Sequence, residues 1–295
     1  MPTFPDSRPA DPRPSGSRPD AAHERERART ARKAEIAALF DTAAENHYDR
    51  VHGGFHEQVG ARLVALAAPR PGDRVLDLGC GRGAVLFPAV AAVGPDGYAV
   101  GIDLSPRMVH ATAEDARRLG LRNVSVRVDD AESPGFPAGS FEAVLSSLVL
   151  MFTPDPAAAV RAALRLLTPG GVFAATSFGA EIDPRWREAF AALLAFADPP
   201  GAPDVSGGSA DGPPLEGLLT EAGFADVRTV EEPAYSEYAD AQAWWRSLWG
   251  GRQRPALERI PERRRSEALA AAAALLPPAP LTRATLVRYT LARRP

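Results

Sequence analysis

The spacing of apolar residues predicts two helices in the first quarter of the chain. Apolar side chains recur at helical intervals over residues 23–68, with Ile36 and Phe40 in one segment and Phe55 opening another. The sequence HGG at residues 52–54 predicts a break between them, because consecutive glycines interrupt a helix.

Short apolar runs alternate with helical segments over the next hundred residues. The predicted strands are 75–78, 98–102, 124–128, 141–147 and 172–176, and the predicted helices are 84–93, 106–119 and 156–167. Ser105 is a predicted N-cap, with Pro106 at the first helical position and Gly120 as the stop. Strands separated by helices of this length predict a parallel sheet covered on both faces, an α/β fold.

The regular alternation weakens towards the C-terminus. The pattern predicts helices at 184–197 and 215–222, strands at 227–230 and 285–291, and two helical segments within 240–276. The Gly/Pro-rich stretch 198–214 is predicted to be a mobile lid or a disordered loop. The predicted organisation is a disordered Pro/Arg-rich tail (1–22), N-terminal helices (23–70), a cofactor-binding core (71–180), and the remaining core strands with a helical acceptor-binding cap (181–295).

The composition argues against nucleic acid and membrane as partners of the protein. The net charge of −3 and the pI near 6.0 give no basic surplus, which argues against a nucleic-acid-binding protein. The longest Ala/Leu run, residues 268–276, is too short for a membrane span. A single cysteine allows no intrachain disulfide, so a cytoplasmic location is the simplest expectation. A homodimer stays open.

The sequence VLDLGCGRG at residues 75–83 is a candidate ligand-binding motif. A strand followed by a glycine turn and a helix brings backbone N–H groups to one point, where a ligand can approach the main chain. This signal alone is weak, because GCGRGA also satisfies the dinucleotide pattern. Asp103, twenty residues after Gly83, stands where an NAD protein has its ribose-binding acid, or is simply a surface acid beside a helix.

Two further acidic positions favour a different ligand. Asp77 precedes the glycine turn, where its carboxylate would repel a pyrophosphate and attract a cation. A second acidic turn, DDAES at 129–133, follows the third predicted strand. Together these loops offer Asp77 to a cationic end, Asp103 to a ribose diol, and Asp130 with Ala131 to an adenine edge. The ligand with these parts is S-adenosylmethionine.

With these motifs the sequence resembles the class I S-adenosylmethionine-dependent methyltransferases, most closely their small-molecule branch, which includes the ubiquinone/menaquinone-biosynthesis type. The resemblance covers about residues 39–178. It depends on VLDLGCGRG (75–83), VGIDLS (100–105), VDDAESPGFPAGSFEAVLSS (128–147) and LTPGGVFAATSF (167–178). It implies a Rossmann-like, seven-stranded sheet of order 3-2-1-4-5-7-6, mostly parallel with an antiparallel last strand.

The resemblance also implies roles for individual residues. The family's glycine turn under the methionine part corresponds to Gly79, Gly81 and Gly83, organised by Asp77. The other cofactor-binding residues that it implies are Asp103 on the ribose hydroxyls, Leu104 packed on the adenine, Asp130 and Ala131 on the adenine edge, Ser147 facing the cofactor, and Tyr48 closing over the methionine end.

Candidate catalytic and acceptor-binding residues are less specific. His47, His52 and His56 cluster in the N-terminal segment, and His52 or His56 is a candidate general base, although surface or structural roles are common for histidine. Many relatives have histidines after the fourth strand, where this chain has the apolar LVLMF (148–152). The apolar residues in place of histidines predict a hydrophobic acceptor pocket that includes Met151.

Tryptophans form the last group of candidates. Trp245 and Trp249 share a predicted helical face beside Trp244, and this stripe predicts either core packing or a wall of the acceptor pocket.

The sequence therefore predicts transfer of a methyl group from S-adenosylmethionine to an O, N or C atom of a hydrophobic small molecule, with S-adenosylhomocysteine as product, in specialised metabolism. No metal, nucleic-acid or membrane partner is expected. The alternatives are a S-adenosylmethionine- or S-adenosylhomocysteine-binding scaffold or cyclase on the same fold and, with less support, an RNA or protein methyltransferase.

Overall fold

The computed structural model describes residues 21–45, 54–180, 182–199, 214–250 and 253–295. Its strands are β1 (Arg74–Leu78), β2 (Tyr98–Asp103), β3 (Val124–Val128), β4 (Phe141–Ser147), β5 (Leu167–Phe178), β6 (Ala225–Tyr238) and β7 (Leu281–Arg293). Its α-helices are α1 (Ala21–Glu45), α2 (Phe55–Ala67), α3 (Leu86–Val93), α4 (Pro106–Arg118), α5 (Pro156–Leu166), α6 (Arg185–Leu194), α7 (Leu215–Ala222), α8 (Ala241–Trp249), α9 (Arg254–Glu258) and α10 (Arg265–Ala273). Two 3₁₀ turns cover Leu150–Phe152 and Glu262–Arg264.

The seven strands form one sheet in the order β3-β2-β1-β4-β5-β7-β6, as predicted. Strands β1 to β5 are parallel, whereas β7 runs antiparallel to both β5 and β6. In this register Asp77 of β1 lies beside Gly101 of β2 and Leu145 of β4. The carboxyl ends of these strands therefore meet at one edge, where doubly wound sheets bind their ligands.

The last two strands are much longer than the sequence indicated. They pair from Ala225 opposite Arg293 to Tyr238 opposite Leu281, while β5 pairs with β7 only as far as Phe178 opposite Val287. The far part of this hairpin ladder thus extends past β5. The charged and proline residues of β6 obscure the alternation of apolar and polar positions that would predict a strand. A proline is tolerated here because β6 is an edge strand, where one side needs no ladder hydrogen bond.

Three apolar clusters hold the molecule together. One cluster lies on each face of the sheet, and the third lies under the helices α6, α8, α9 and α10. We call those four helices the cap. The cap packs against the far part of the β6–β7 ladder through Tyr238 and Leu281, so this extension of the sheet positions the cap beside the carboxyl ends of the strands.

The N-terminal helices differ from the predicted boundaries by a few residues. The first helix begins at Ala21, within the last two residues of the predicted tail, and α2 begins after Gly54, whose φ of 76° suits glycine. The other predicted tail residues, and most of the predicted lid, lie outside the described residues. Among the helices that are described, none combines the length and apolar character needed to cross a membrane.

Candidate active site

The glycine turn lies between β1 and α3 at the carboxyl edge of the sheet. Gly79, Gly81 and Gly83 all have positive φ angles, of 69°, 47° and 85°, which side chains disfavour. A methyl group added at Gly81 would have no neighbour within 4 Å, because this glycine faces a cavity of about 650 Å³. The turn is fixed from both sides, since the Gly81 N–H donates to Asp103 at 2.9 Å and its carbonyl accepts from Thr112 at 2.5 Å.

Asp77 lines this large cavity although it is almost fully buried, with 1% of its surface exposed. Neither carboxylate oxygen has a hydrogen-bond partner. The Leu86 N–H lowers the pKa of Asp77, although its geometry falls short of an ordinary hydrogen bond. Burial, with a smaller contribution from the charge of Asp103, raises the pKa of Asp77 to about 8. A buried carboxylate without a partner is costly, and a cation in the cavity removes that cost.

Asp103 is held in a defined orientation at the end of β2. Its Oδ2 accepts the Gly81 N–H and its Oδ1 accepts the Ser105 N–H, both at 2.9 Å. Burial raises the pKa of Asp103, and these two N–H groups oppose the rise. The carboxylate also lines the large cavity, so its remaining lone pairs are available to hydroxyl donors of a ligand.

The acidic turn after β3 supplies a third wall of the cavity. Asp130 accepts the Glu132 N–H at 2.9 Å, and Ala131 lines the cavity beside it. Lys33 of α1 donates to Asp130 at 2.6 Å and forms an ion pair with Glu132. Although burial lowers the pKa of Lys33, these bonds outweigh that effect and raise it. Arg29 donates to the same Glu132 at 2.6 Å.

Helix α1 therefore covers the large cavity. Lys33, Ile36, Ala37 and Phe40 of this helix all line it. A second anchor lies further along the helix, where Asp41 accepts the Ser105 hydroxyl at 2.5 Å. The covering helix shields from water a site whose walls combine carboxylates with apolar surface. Among the described residues, no group of histidine, cysteine and carboxylate side chains has the arrangement of a metal site.

Comparison with known proteins agrees with this geometry. A family model described as a methyltransferase domain matches residues 69–204. Nocamycin O-methyltransferase from Saccharothrix syringae is 40% identical over 250 residues, which cover 77% of this chain and 85% of that protein. The chain belongs to the class I S-adenosylmethionine-dependent methyltransferases.

Two further similarities extend the comparison. Aklanonic acid methyltransferase DauC from Streptomyces sp. strain C5 is 44% identical over 145 residues, which cover 49% of this chain and 66% of that protein. The solved structure of phosphoethanolamine N-methyltransferase 2 from Haemonchus contortus, in complex with S-adenosyl-L-methionine, has a TM-score of 0.54 and 18% identity, covering 86% of this chain and 57% of that chain. At this identity the structural likeness shows the fold alone.

The cofactor of the methyltransferase is S-adenosylmethionine, and the large cavity fits it. The unpartnered buried Asp77 suits the cationic methionine end, and the open Gly81 leaves room for close approach. The oriented Asp103 suits a ribose diol. We call this space the cofactor cavity. Leu104 and Ser147, which the family resemblance placed at the cofactor, line it as well.

The environment of Asp130 differs from the expectation. The Asp130 carboxylate was assigned to the adenine amino group, yet its Oδ2 already accepts a hydrogen bond from Lys33. An adenine amino group at this position would share Asp130 with the covering helix. The assignment of the individual cofactor-binding residues stays a proposal.

A second cavity of about 300 Å³ adjoins the first. The two cavities share four lining residues, Phe40, His56, Leu148 and Phe152. We call these four residues the junction and the second space the outer cavity. Leu148 has a φ of 57°, a left-handed backbone that is uncommon for a branched residue, and its N–H donates to the Thr176 hydroxyl at 3.0 Å. Such strain at a cavity wall is typical of functional sites.

The candidate histidines have different outcomes. His56 lies at the junction, near the start of α2. The position of this helix is set by Gly60, where an added methyl group would come within 2.1 Å of the Ala84 carbonyl oxygen. His52 and Tyr48 lie outside the described residues.

None of the three acceptor-binding candidates lines either cavity. Trp245 and Trp249 pack edge to face in the apolar cluster of the cap, with ring centroids 5.5 Å apart, and neither is among the described residues that line these two cavities. This placement favours the core-packing interpretation. Met151 packs against the core, whereas its neighbour Phe152 lines both cavities, because the 3₁₀ turn directs successive side chains to different sides.

Proposed function

We propose that this enzyme methylates an oxygen atom of a hydrophobic small molecule bound in the outer cavity. The observation that carries the proposal is the junction, since it makes the cofactor and outer cavities adjacent. S-adenosylmethionine supplies the methyl group from a sulfonium by in-line displacement. Such a reaction depends chiefly on holding the acceptor atom in line and close, with water excluded.

The lining of the outer cavity supports an apolar, flat acceptor. Aromatic side chains surround it from several elements, namely Phe40, Phe55, Phe152, Phe178, Trp186 and Tyr238. Phe55 and Phe178 are stacked with their planes 15° apart. Aromatic rings bury large areas and favour other rings as partners. The similarity to nocamycin O-methyltransferase and aklanonic acid methyltransferase is consistent with a small molecule of specialised metabolism, and the name of the first with an oxygen acceptor.

We further propose that His56 accepts the proton that a hydroxyl acceptor loses. Among the described histidines, His23, His56 and His110, it is the one that lines both cavities. The close contact of Gly60 with the Ala84 backbone fixes the helix that carries it. A positioned general base contributes typically 10²- to 10⁴-fold to rate.

Methyl transfer from labelled S-adenosylmethionine tests this function. Purified enzyme is incubated with small molecules extracted from the producing cells and, separately, with their RNA and protein. We expect label in a hydrophobic small molecule. With that acceptor, His56→Gln should lower kcat roughly 100-fold or more and abolish the fall in rate at low pH that protonation of the imidazole causes, whereas the exposed His110→Gln should behave as wild type. Label mainly in RNA or protein would contradict the proposal.

Two expectations about the whole molecule stay predictions. These are the homodimer and the cytoplasmic location. Light scattering on the purified protein measures the first, and cell fractionation measures the second.

A further inference from the structure

The outer cavity has a polar end as well as aromatic walls. Asp183, Ser236, Gln253, Arg283 and Thr285 line it together with the rings already named. Two of these side chains carry formal charges of opposite sign. Which charge is already compensated decides what kind of group the cavity can bind.

The charge of Asp183 is compensated within the protein. Arg185 donates to its Oδ2 at 2.7 Å and to its Oδ1 at 3.0 Å, a bidentate pair. The hydrogen bond with Arg185 lowers the pKa of Asp183 below its ordinary value. This carboxylate therefore needs no cation from a ligand.

The charge of Arg283 has no such partner. Within the described part of the chain, its guanidinium group makes no ion pair and no side-chain hydrogen bond. It lies over the Trp186 ring, with 5.8 Å between the guanidinium carbon and the ring centroid. Arginine stays charged at any physiological pH and binds carboxylates and other oxyanions through its planar fork of donors. The outer cavity thus presents one uncompensated positive charge among aromatic rings.

Arg283 lies on the part of β7 that extends past β5. It lies on β7 four residues before Val287, the last position that pairs with β5, which is about 13 Å along an extended strand. It lines the outer cavity and does not line the cofactor cavity. A group held by Arg283 is therefore distinct from the group that faces the junction.

We propose that the acceptor is an anion, an aromatic molecule whose carboxylate or equivalent oxyanion pairs with Arg283 while another part reaches the junction. This inference rests on the proposed function only in taking the outer cavity as the acceptor site. It assigns to Arg283 a specificity role, because a neutral analogue of the same shape would cover the half-buried guanidinium without supplying a counter-charge.

Two fluorescent probes with the same rings test the anion site without turnover. 8-Anilinonaphthalene-1-sulfonate carries an oxyanion, and N-phenyl-1-naphthylamine lacks it. Each is titrated into protein saturated with S-adenosylhomocysteine, so that the cofactor cavity is filled. We expect wild type to bind the anionic probe more tightly, and Arg283→Gln to weaken that probe roughly 10- to 100-fold while changing the neutral probe less than about twofold.

Matched variants separate charge from packing. Arg283→Lys keeps the charge and should retain part of the preference, and the exposed cap residue Arg246→Gln should change neither probe. Equal losses for both probes in Arg283→Gln would overturn the proposal and leave Arg283 as packing for Trp186. An anionic probe that binds wild type no more tightly than the neutral one would also overturn it. Methyl transfer is measured separately, so a lost preference for the anionic probe would leave the proposed function standing, whereas label in RNA or protein would leave Arg283 as an anion site without an acceptor role.

Discussion

Asp77 should make the cofactor-free enzyme less stable as the pH rises. Its pKa is about 8 in the folded protein and near 3.8 in the unfolded chain, so between these values only the folded state binds the proton. The stabilising contribution of the proton is therefore complete below the unfolded value and is lost as the pH rises towards 8. The loss is about 1.4 kcal/mol per pH unit, or roughly 3 kcal/mol between pH 5 and pH 7.

Asp77→Asn removes this titration while keeping the shape of the side chain. Cys80 and Asp103 also have raised pKa values, so the informative quantity is the difference between wild type and variant. From pH 5 to pH 7 the Tm of wild type should fall by roughly 5–10 °C more than that of the variant, without cofactor. Thermal unfolding of both proteins at several pH values measures this. Parallel curves for the two proteins would refute the assignment of a buried, unpartnered carboxylate.

The same carboxylate links cofactor binding to proton release. A cationic ligand favours the ionised form, so binding at pH 6.5 should release about one proton from Asp77. Calorimetry in two buffers of different ionisation enthalpy measures that number directly. The affinity should also increase with pH up to about 8 in wild type, and Asp77→Asn should show neither effect. Proton uptake, or no buffer dependence, would contradict the pairing.

Two other substitutions test opposite sides of the molecule. Asp103→Ala should weaken S-adenosylmethionine binding roughly 10- to 150-fold in calorimetry, because a charge-assisted hydrogen bond to a ribose hydroxyl contributes about 1.5–3 kcal/mol; unchanged affinity would remove Asp103 from the cofactor site. Trp245→Ala should lower the free energy of unfolding by about 3–5 kcal/mol with little change in cofactor affinity, whereas the more exposed Leu275→Ala should cost far less in the same denaturant titration; a small loss would contradict core packing.

The cofactor side of the site was accessible from sequence because its parts are local. Each wall is the end of a strand or the turn that follows it, so Asp77, Asp103 and Asp130 could be placed from the order of elements alone. In a parallel sheet those turns meet at one edge whatever the details of packing. What the pattern did not reveal is that Asp77 has no partner inside the protein, because that depends on the packing of its neighbours.

The helix over the cofactor cavity was predicted, but its position there could not be, for the opposite reason. Lys33 lies 97 residues from Asp130, and the helix that carries it has almost no amphipathic pattern. Its position is held by ion pairs with Asp130 and Glu132 and by the hydrogen bond between Ser105 and Asp41, which spacing along the chain does not encode. The tryptophan stripe was equally ambiguous, because helical periodicity marks a buried face without telling whether protein or ligand covers it.

The outer cavity could not be predicted from the sequence either. The outer cavity takes its walls from α1, α2, the ends of β4 and β5, α6 and the far part of the β6–β7 ladder. Apart from the ends of β4 and β5, none of these segments carries a motif, and Arg283 is one of many arginines in the sequence. Its significance arises only because Asp183, the nearby acid on the wall, already pairs with Arg185. Acceptor specificity in this enzyme is therefore a property of charges left uncompensated by folding, which a sequence motif cannot express.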